Sequence, residues 1–244
     1  GHLPGAFFLH LDRDLSGPTN GCNGRHPLPD PLHLAATLEL VGVSAATQVV
    51  AYDDSGGMFA SRLWWLLRWL GHDRVAVLDG GIDRWLANGR PLTTDIPRSS
   101  PGRMTVAQRD WVVSCDEVLA DLPAGRLCLV DARSPDRFRG ENETLDRVGG
   151  HIPGARNRFF RDNLDGDGRF RPAPELRREF DALLAGRSPR EVVMSCGSGV
   201  TACHNLLAME VAGLPGARLY AGSWSEWCSD PARPLTCEVR AASV

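Results

Sequence analysis

Cys196-Gly197-Ser198-Gly199-Val200-Thr201-Ala202-Cys203 carries residue types and a spacing suited to nucleophilic chemistry. An apolar run, Val192-Val193-Met194, leads into Cys196, and a helical apolar pattern (Leu206, Leu207, Met209, Val211) follows the loop. Gly197 and Gly199 permit φ > 0, so successive backbone N–H groups can curl around the sulfur. The N-terminus of the following helix adds positive potential. Both effects favour the thiolate, which is the nucleophilic form of cysteine. A buried structural cysteine is a small core residue and needs none of this scaffolding. A thiolate held in this way takes up a group covalently and passes it on, dividing one transfer into two easier steps.

Other chemistries fit the chain less well. Asn163-Leu164-Asp165-Gly166-Asp167-Gly168 imitates the start of a calcium loop, but Pro174 stands at the twelfth position, where a bidentate Glu is required. It reads as a turn before a helix at Glu175. Cys203-His204 and the Cys22–His26 pair offer ligand types without any paired C-x-x-C set, so zinc is not expected. The seven cysteines are irregularly spaced and odd in number, which argues against a disulfide framework and for a reducing, cytoplasmic setting. Cys203 lies two helical turns past Cys196 and reads as helix packing. His151 reads as a turn residue with local hydrogen bonds.

The elements that must position Cys196 alternate. Thr47–Tyr52, Val75–Leu78, Leu127–Asp131, Val192–Cys196 and Arg218–Tyr220 read as short buried strands, and Ala60–Leu70, Glu175–Leu184 and Thr201–Ala212 as helices. That alternation implies an α/β fold with parallel sheets flanked by helices. Reactive loops in such sheets sit at the carboxyl ends of strands, where Cys196 falls. The 244 residues suffice for two modest domains. A hydrophobic content of 43% and a charged content of 23% are those of a globular protein. A net charge of −3 gives no attraction to nucleic acid or an anionic membrane. The most apolar helix, Leu63–Leu70, is too short for a bilayer and contains Arg68.

The chain repeats itself. Gly1-His2-Leu3-Pro4-Gly5-Ala6 matches Gly150-His151-Ile152-Pro153-Gly154-Ala155, and Val49-Val50-Ala51-Tyr52-Asp53 matches Val192-Val193-Met194-Ser195-Cys196. Leu78–Trp85 matches Leu219–Trp227 more loosely. So long a period means two similar domains, not a solenoid. They are expected at residues 1–98 and 111–244, joined by a linker at 99–110 within the Pro-, Ser- and Arg-rich stretch Pro91–Arg109. The first copy has Asp53 in place of Cys196, so it is expected to be catalytically silent.

The loop from Cys196 to Thr201 resembles that of the rhodanese sulfurtransferases, most closely their mercaptopyruvate branch. Val130-Asp131-Ala132-Arg133, the Gly150–Ala155 turn and Ala221-Gly222-Ser223-Trp224-Ser225-Glu226-Trp227 resemble further motifs of the family, in the expected order. The resemblance implies two tandem rhodanese-like domains. The strand matching Leu127–Asp131 falls before Gly1 in the first copy, and the chain opens without Met. The first domain is therefore expected to lack its N-terminal strand, so that either the natural protein is longer or this domain is weakened. The implied activity is transfer of a sulfane sulfur through a Cys196 persulfide to cyanide, a thiol or thioredoxin, with no metal or organic cofactor. Gly197, Gly199, Val200 and Thr201 would line the donor site, and Ser198 would assist catalysis. His2 matches the position that the resemblance assigns to a relay histidine.

The donor is expected to be 3-mercaptopyruvate. Residues 197–202 include no Arg or Lys, whereas loops for thiosulfate, a dianion, commonly do. Arg137 matches one carboxylate-binding arginine of the mercaptopyruvate branch. A second would fall at position 146, which is Asp146, with Arg147 one step off. Thiosulfate transfer is the alternative, and a non-catalytic sulfur-binding or scaffold protein the more remote one. A rhodanese-like phosphatase would need an arginine at position 202, which is Ala202.

Overall fold

A computed structural model describes residues 1–238. The chain divides into two compact units. The first comprises Gly1–Pro18, Leu28–Asp110 and Leu164–Phe170; the second comprises Thr19–Pro27, Trp111–Asn163 and the chain from Arg171. Residues 99–110, expected as the linker, pack with the first unit. Their irregular backbone is tied down there: Ala107 N–H donates to Leu70 O (2.8 Å) and Arg109 N–H to Trp69 O (2.9 Å).

The first unit holds a single helical turn, α1 (Leu11–Asp14), then α2 (Pro31–Leu40), β1 (Val49–Ala51), α3 (Ala60–Trp69), β2 (Val75–Val77) and α4 (Gly81–Ala87). Asp30 caps α2 by accepting from Leu32 and His33 N–H, and Pro31 stands in the first turn, where its missing N–H costs nothing. β1 and β2 pair in parallel, Val49 opposite Val75. Helix α3 buries Trp64, Trp65, Leu66, Leu67 and Trp69, with Trp65 stacked on Trp69 one turn later at 5.7 Å. The expected strand Thr47–Tyr52 shortens to three residues, since only those pair with β2.

The second unit contains α5 (Cys115–Asp121), β3 (Cys128–Asp131), α6 (Pro135–Arg139), β4 (Arg156–Asn157), α7 (Ala173–Leu184), β5 (Val192–Ser195), α8 (Thr201–Val211), β6 (Arg218–Leu219) and α9 (Ser223–Trp227). Its sheet runs β4-β3-β5-β6, all parallel. β3 and β5 are buried on both faces, as their continuous apolar sequences require. Helix α7 turns Leu176, Phe180 and Leu184 inward; each is at most 2% exposed, and burial of such a side chain contributes about 1.5–3 kcal/mol. A second cluster joins Val113, Leu129, Ile152, Val193, Tyr220, Trp224 and Trp227.

The duplication is visible in detail. His2 pairs antiparallel with Thr93 in one unit, as His151 does with Thr236 in the other. No helix among the described residues is long and apolar enough to cross a membrane.

Candidate active site

Cys196 leaves the carboxyl end of β5, and its side chain is buried at 2% exposure. Its Sγ accepts the N–H groups of Ser198 (3.4 Å) and Gly199 (3.1 Å). Gly199 achieves this with φ 76°, and a Cβ there would strike the carbonyl of Ala221. Two independent constraints therefore require glycine at this position. Val200 precedes the first turn of α8 and Thr201 opens it, so the loop passes directly into the helix.

The first turn of α9 braces the loop. Trp224 N–H donates to Cys196 O (3.0 Å) and Ser225 N–H to Gly197 O (2.9 Å). Ser223 Oγ accepts from Cys196 N–H (3.0 Å) and donates to Tyr220 O (2.9 Å). To do so Ser223 takes φ 54°, a left-handed conformation costing about 1–3 kcal/mol in a non-glycine residue, which these bonds offset.

Ser198 Oγ lies 2.7 Å from His26 Nδ1. His26 reads in sequence only as a partner of Cys22 in a ligand pair; nothing local marks it as a neighbour of the loop. His2 lies in the first unit, with Nδ1 2.9 Å from Leu3 O and its backbone paired to Thr93. Cys203 is buried in α8, its thiol directed at Gly199 O (3.4 Å), as packing predicts. Asp165 Oδ1 accepts from Asp167 and Arg169 N–H, so that carboxylate closes its own turn.

Three arginines and three acids surround the loop. Arg133 is 1% exposed and forks onto Asp131, with Nη2 also donating to Gly150 O (2.7 Å); its guanidinium lies over the Trp224 ring at 4.9 Å. It thus joins three of the sequence motifs by direct contact. Arg137 binds Glu143 through Nε (3.1 Å) and Nη2 (2.8 Å). Asp146 forms an ion pair with Arg25 and reaches Arg137 Nη2 at 3.5 Å. Arg147 turns to Ser229 O (3.3 Å) and joins none of these groups.

Burial pushes the Glu143 carboxyl up, but hydrogen bonds from Arg137 and from Leu145 and Asp146 N–H outweigh it and hold the carboxyl below its ordinary value. For Asp146 burial prevails, and the neighbouring Glu143 adds to it, so its carboxyl is raised despite Arg25 and Arg137. Both Arg25 Nη2 and Arg137 Nη2 converge on Gly197, lying 2.9 and 3.7 Å from where a Cβ would stand. The loop uncharged in sequence therefore receives two guanidinium groups from elsewhere in the chain.

Asp53 occupies the corresponding place in the first unit. Its Oδ1 accepts from Ser55 (2.9 Å) and Gly57 (2.8 Å) N–H, and its Oδ2 from Phe59 and Ala60 N–H, both at 2.8 Å. A carboxylate fills this cradle and caps α3.

The family model of the rhodanese-like domain matches residues 1–88 and 114–230. A Pseudomonas aeruginosa protein named probable 3-mercaptopyruvate sulfurtransferase is 52% identical over 238 residues, 96% of this chain and 84% of that one. The thiosulfate sulfurtransferase of Cricetulus griseus is 36% identical, over 93% of this chain and 77% of its own length. The solved structure of 3-mercaptopyruvate sulfurtransferase from Leishmania major superposes with a TM-score of 0.81 at 33% identity, covering 93% of this chain and 63% of that one.

Proposed function

This chain belongs to the rhodanese family and is a sulfurtransferase, and from that premise we propose that Cys196 takes its sulfur from 3-mercaptopyruvate and passes it to a thiophilic acceptor. The observation that carries this reading is the Cys196 sulfur held by two backbone N–H groups in the same loop as the Ser198–His26 pair.

In the first half-reaction the Cys196 thiolate attacks the donor's sulfur. The S–S bond forms as the donor's C–S bond breaks, and the electron pair leaves on carbon as the enolate of pyruvate. That enolate takes a proton and departs as pyruvate, while the transferred sulfur remains as the Cys196 persulfide. His26 and Ser198 are placed to hold the proton that the enolate needs. We give His26 the relay role that the resemblance attached to His2, because His26 is the histidine in contact with Ser198. In the second half-reaction cyanide, a thiol or reduced thioredoxin attacks the outer sulfur, the S–S bond breaks and the thiolate is restored. The Ser198 and Gly199 N–H groups stabilise the sulfur's negative charge in both halves. The Thr201 hydroxyl, at the start of α8, and the backbone of Gly197 and Val200 line the donor side.

The first domain is silent in this scheme, since an aspartate carboxylate cannot carry a sulfane sulfur. All seven cysteines are free, which fits a working thiolate in a reducing, cytoplasmic setting.

Thiosulfate as donor is the second reading, favoured by the two guanidinium groups beside Gly197. Steady-state thiocyanate formation from cyanide separates the two. Preference for 3-mercaptopyruvate at matched concentrations is expected, preference for thiosulfate selects the second reading, and no turnover with either rejects both.

A further inference from the structure

Arg25 is 31% exposed and belongs to the segment Thr19–Pro27, packed in the unit that contains Cys196. Its backbone is fixed by a bond from its N–H to Ser225 Oγ (3.1 Å), on the segment that braces the active loop. Its Nη1 is committed to Asp146, which is 4% exposed. Its Nη2 has no acceptor among the described residues and stands 2.9 Å from the place a Gly197 Cβ would occupy. Arg137 brings a second Nη2 to the same point. Two guanidinium groups, Arg25 anchored by Asp146 and Arg137 by Glu143, thus stand beside the residue next to the nucleophile, where their N–H groups can meet a carboxylate.

We propose that Arg25 is the second carboxylate-binding arginine of this site, acting with Arg137 on the α-keto carboxylate of the donor. The proposal rests on the reading of 3-mercaptopyruvate as that donor. Position 146, where a second arginine is expected, instead carries the acid that anchors Arg25. The guanidinium thus reaches the site from the opposite member of an ion pair. Glu143 and Asp146 offset Arg137 and Arg25, and Asp131 offsets Arg133. The cluster therefore holds little net charge, and its preference comes from hydrogen-bond geometry more than from field strength. That suits a monoanionic carboxylate better than a dianion. A Cβ at position 197 would stand 2.9 Å from Arg25 Nη2, so a side chain there would push the Arg25 tip aside.

The test is Arg25→Gln and Arg25→Lys against the wild-type protein, with 3-mercaptopyruvate as donor, cyanide as acceptor and pyruvate as inhibitor. Loss of a charge-assisted contact of this kind corresponds to about a tenfold or greater change in affinity. Arg25→Gln is expected to raise KM and the pyruvate inhibition constant together by that factor, with a much smaller change in kcat. Arg25→Lys keeps the charge without the fork and is expected to fall between. Should the glutamine variant fail to fold, the lysine variant makes the same comparison. Unchanged KM and pyruvate inhibition in an enzyme that uses 3-mercaptopyruvate overturn the role of Arg25 alone. A fall in kcat with KM unchanged overturns it as well, showing a structural role. A wild-type protein that transfers no sulfur from 3-mercaptopyruvate overturns the donor reading and this proposal together.

Discussion

His26 Nδ1 lies 2.7 Å from Ser198 Oγ, although the two residues are 172 positions apart. The serine belongs to the loop that wraps the Cys196 sulfur, so the contact places a titratable group one side chain away from the reacting centre. His26→Ala is expected to lower kcat with 3-mercaptopyruvate by about 10²-fold, the usual scale for losing a positioned proton donor. Thiosulfate, whose leaving sulfite needs no proton on carbon, should lose less. Parallel kinetics with both donors check this, and equal losses would remove His26 from the proton path.

Cys196→Ser should abolish transfer with either donor, because a hydroxyl cannot hold a persulfide. Intact-mass measurement after donor alone should show one added sulfur atom on the wild-type protein and none on the variant. A sulfur adduct that persists in the variant would place the nucleophile elsewhere.

Gly199→Ala combines a left-handed backbone with a collision against Ala221 O. The expected cost is about 1–3 kcal/mol in stability, with loss of activity as the Gly199 N–H leaves the sulfur. Denaturant titration and the thiocyanate assay read the two effects separately.

Asp53→Ala removes an acceptor of four backbone N–H groups, two in the loop before α3 (Ser55, Gly57) and two where the helix begins (Phe59, Ala60). A destabilisation of about 2 kcal/mol is expected, the scale of a strong helix cap with a charged acceptor. Persulfide formation at Cys196 should continue below the melting temperature. Loss of that step in folded protein would show that the first domain takes part in the chemistry.

The Glu226 carboxyl is raised above its ordinary 4.5 by burial, with Asp116 adding to the effect and Arg233 opposing it. A carboxyl raised in the folded state contributes stability that is fully present below 4.5 and is lost as pH rises through the folded value. Glu226→Gln should therefore raise the melting temperature at pH 7, and the difference should close below pH 4.5, where both side chains are neutral. Thermal melts across that range test the sign; a variant less stable than wild type at pH 7 would contradict it.

Much of this protein is determined by local sequence. The alternation of apolar runs and helical patterns is enough for two α/β units, because a buried parallel strand needs a continuous apolar stretch, and a helix needs an apolar stripe. The Cys196 cradle is equally local. It is built from consecutive residues, and Gly199 is the one residue type that can take its place in the turn. The exchange of Cys196 for Asp53 is legible for the same reason.

Tertiary structure decided which side chains surround that cradle. His26 and Arg25 come from a short segment, Thr19–Pro27, that folds with the second unit, and no periodicity announces such a docking. The same limit explains why residues 197–202 look neutral in sequence, while two guanidinium groups stand over Gly197 in the fold. It also explains why position 146 carries an acid: its partner lies 121 residues away, and only their contact shows which member of the pair brings the positive charge to the site. Local sequence determines backbone conformation. The charge and proton inventory of a site depends on through-space distances of a few ångströms, which are fixed only when the chain has packed.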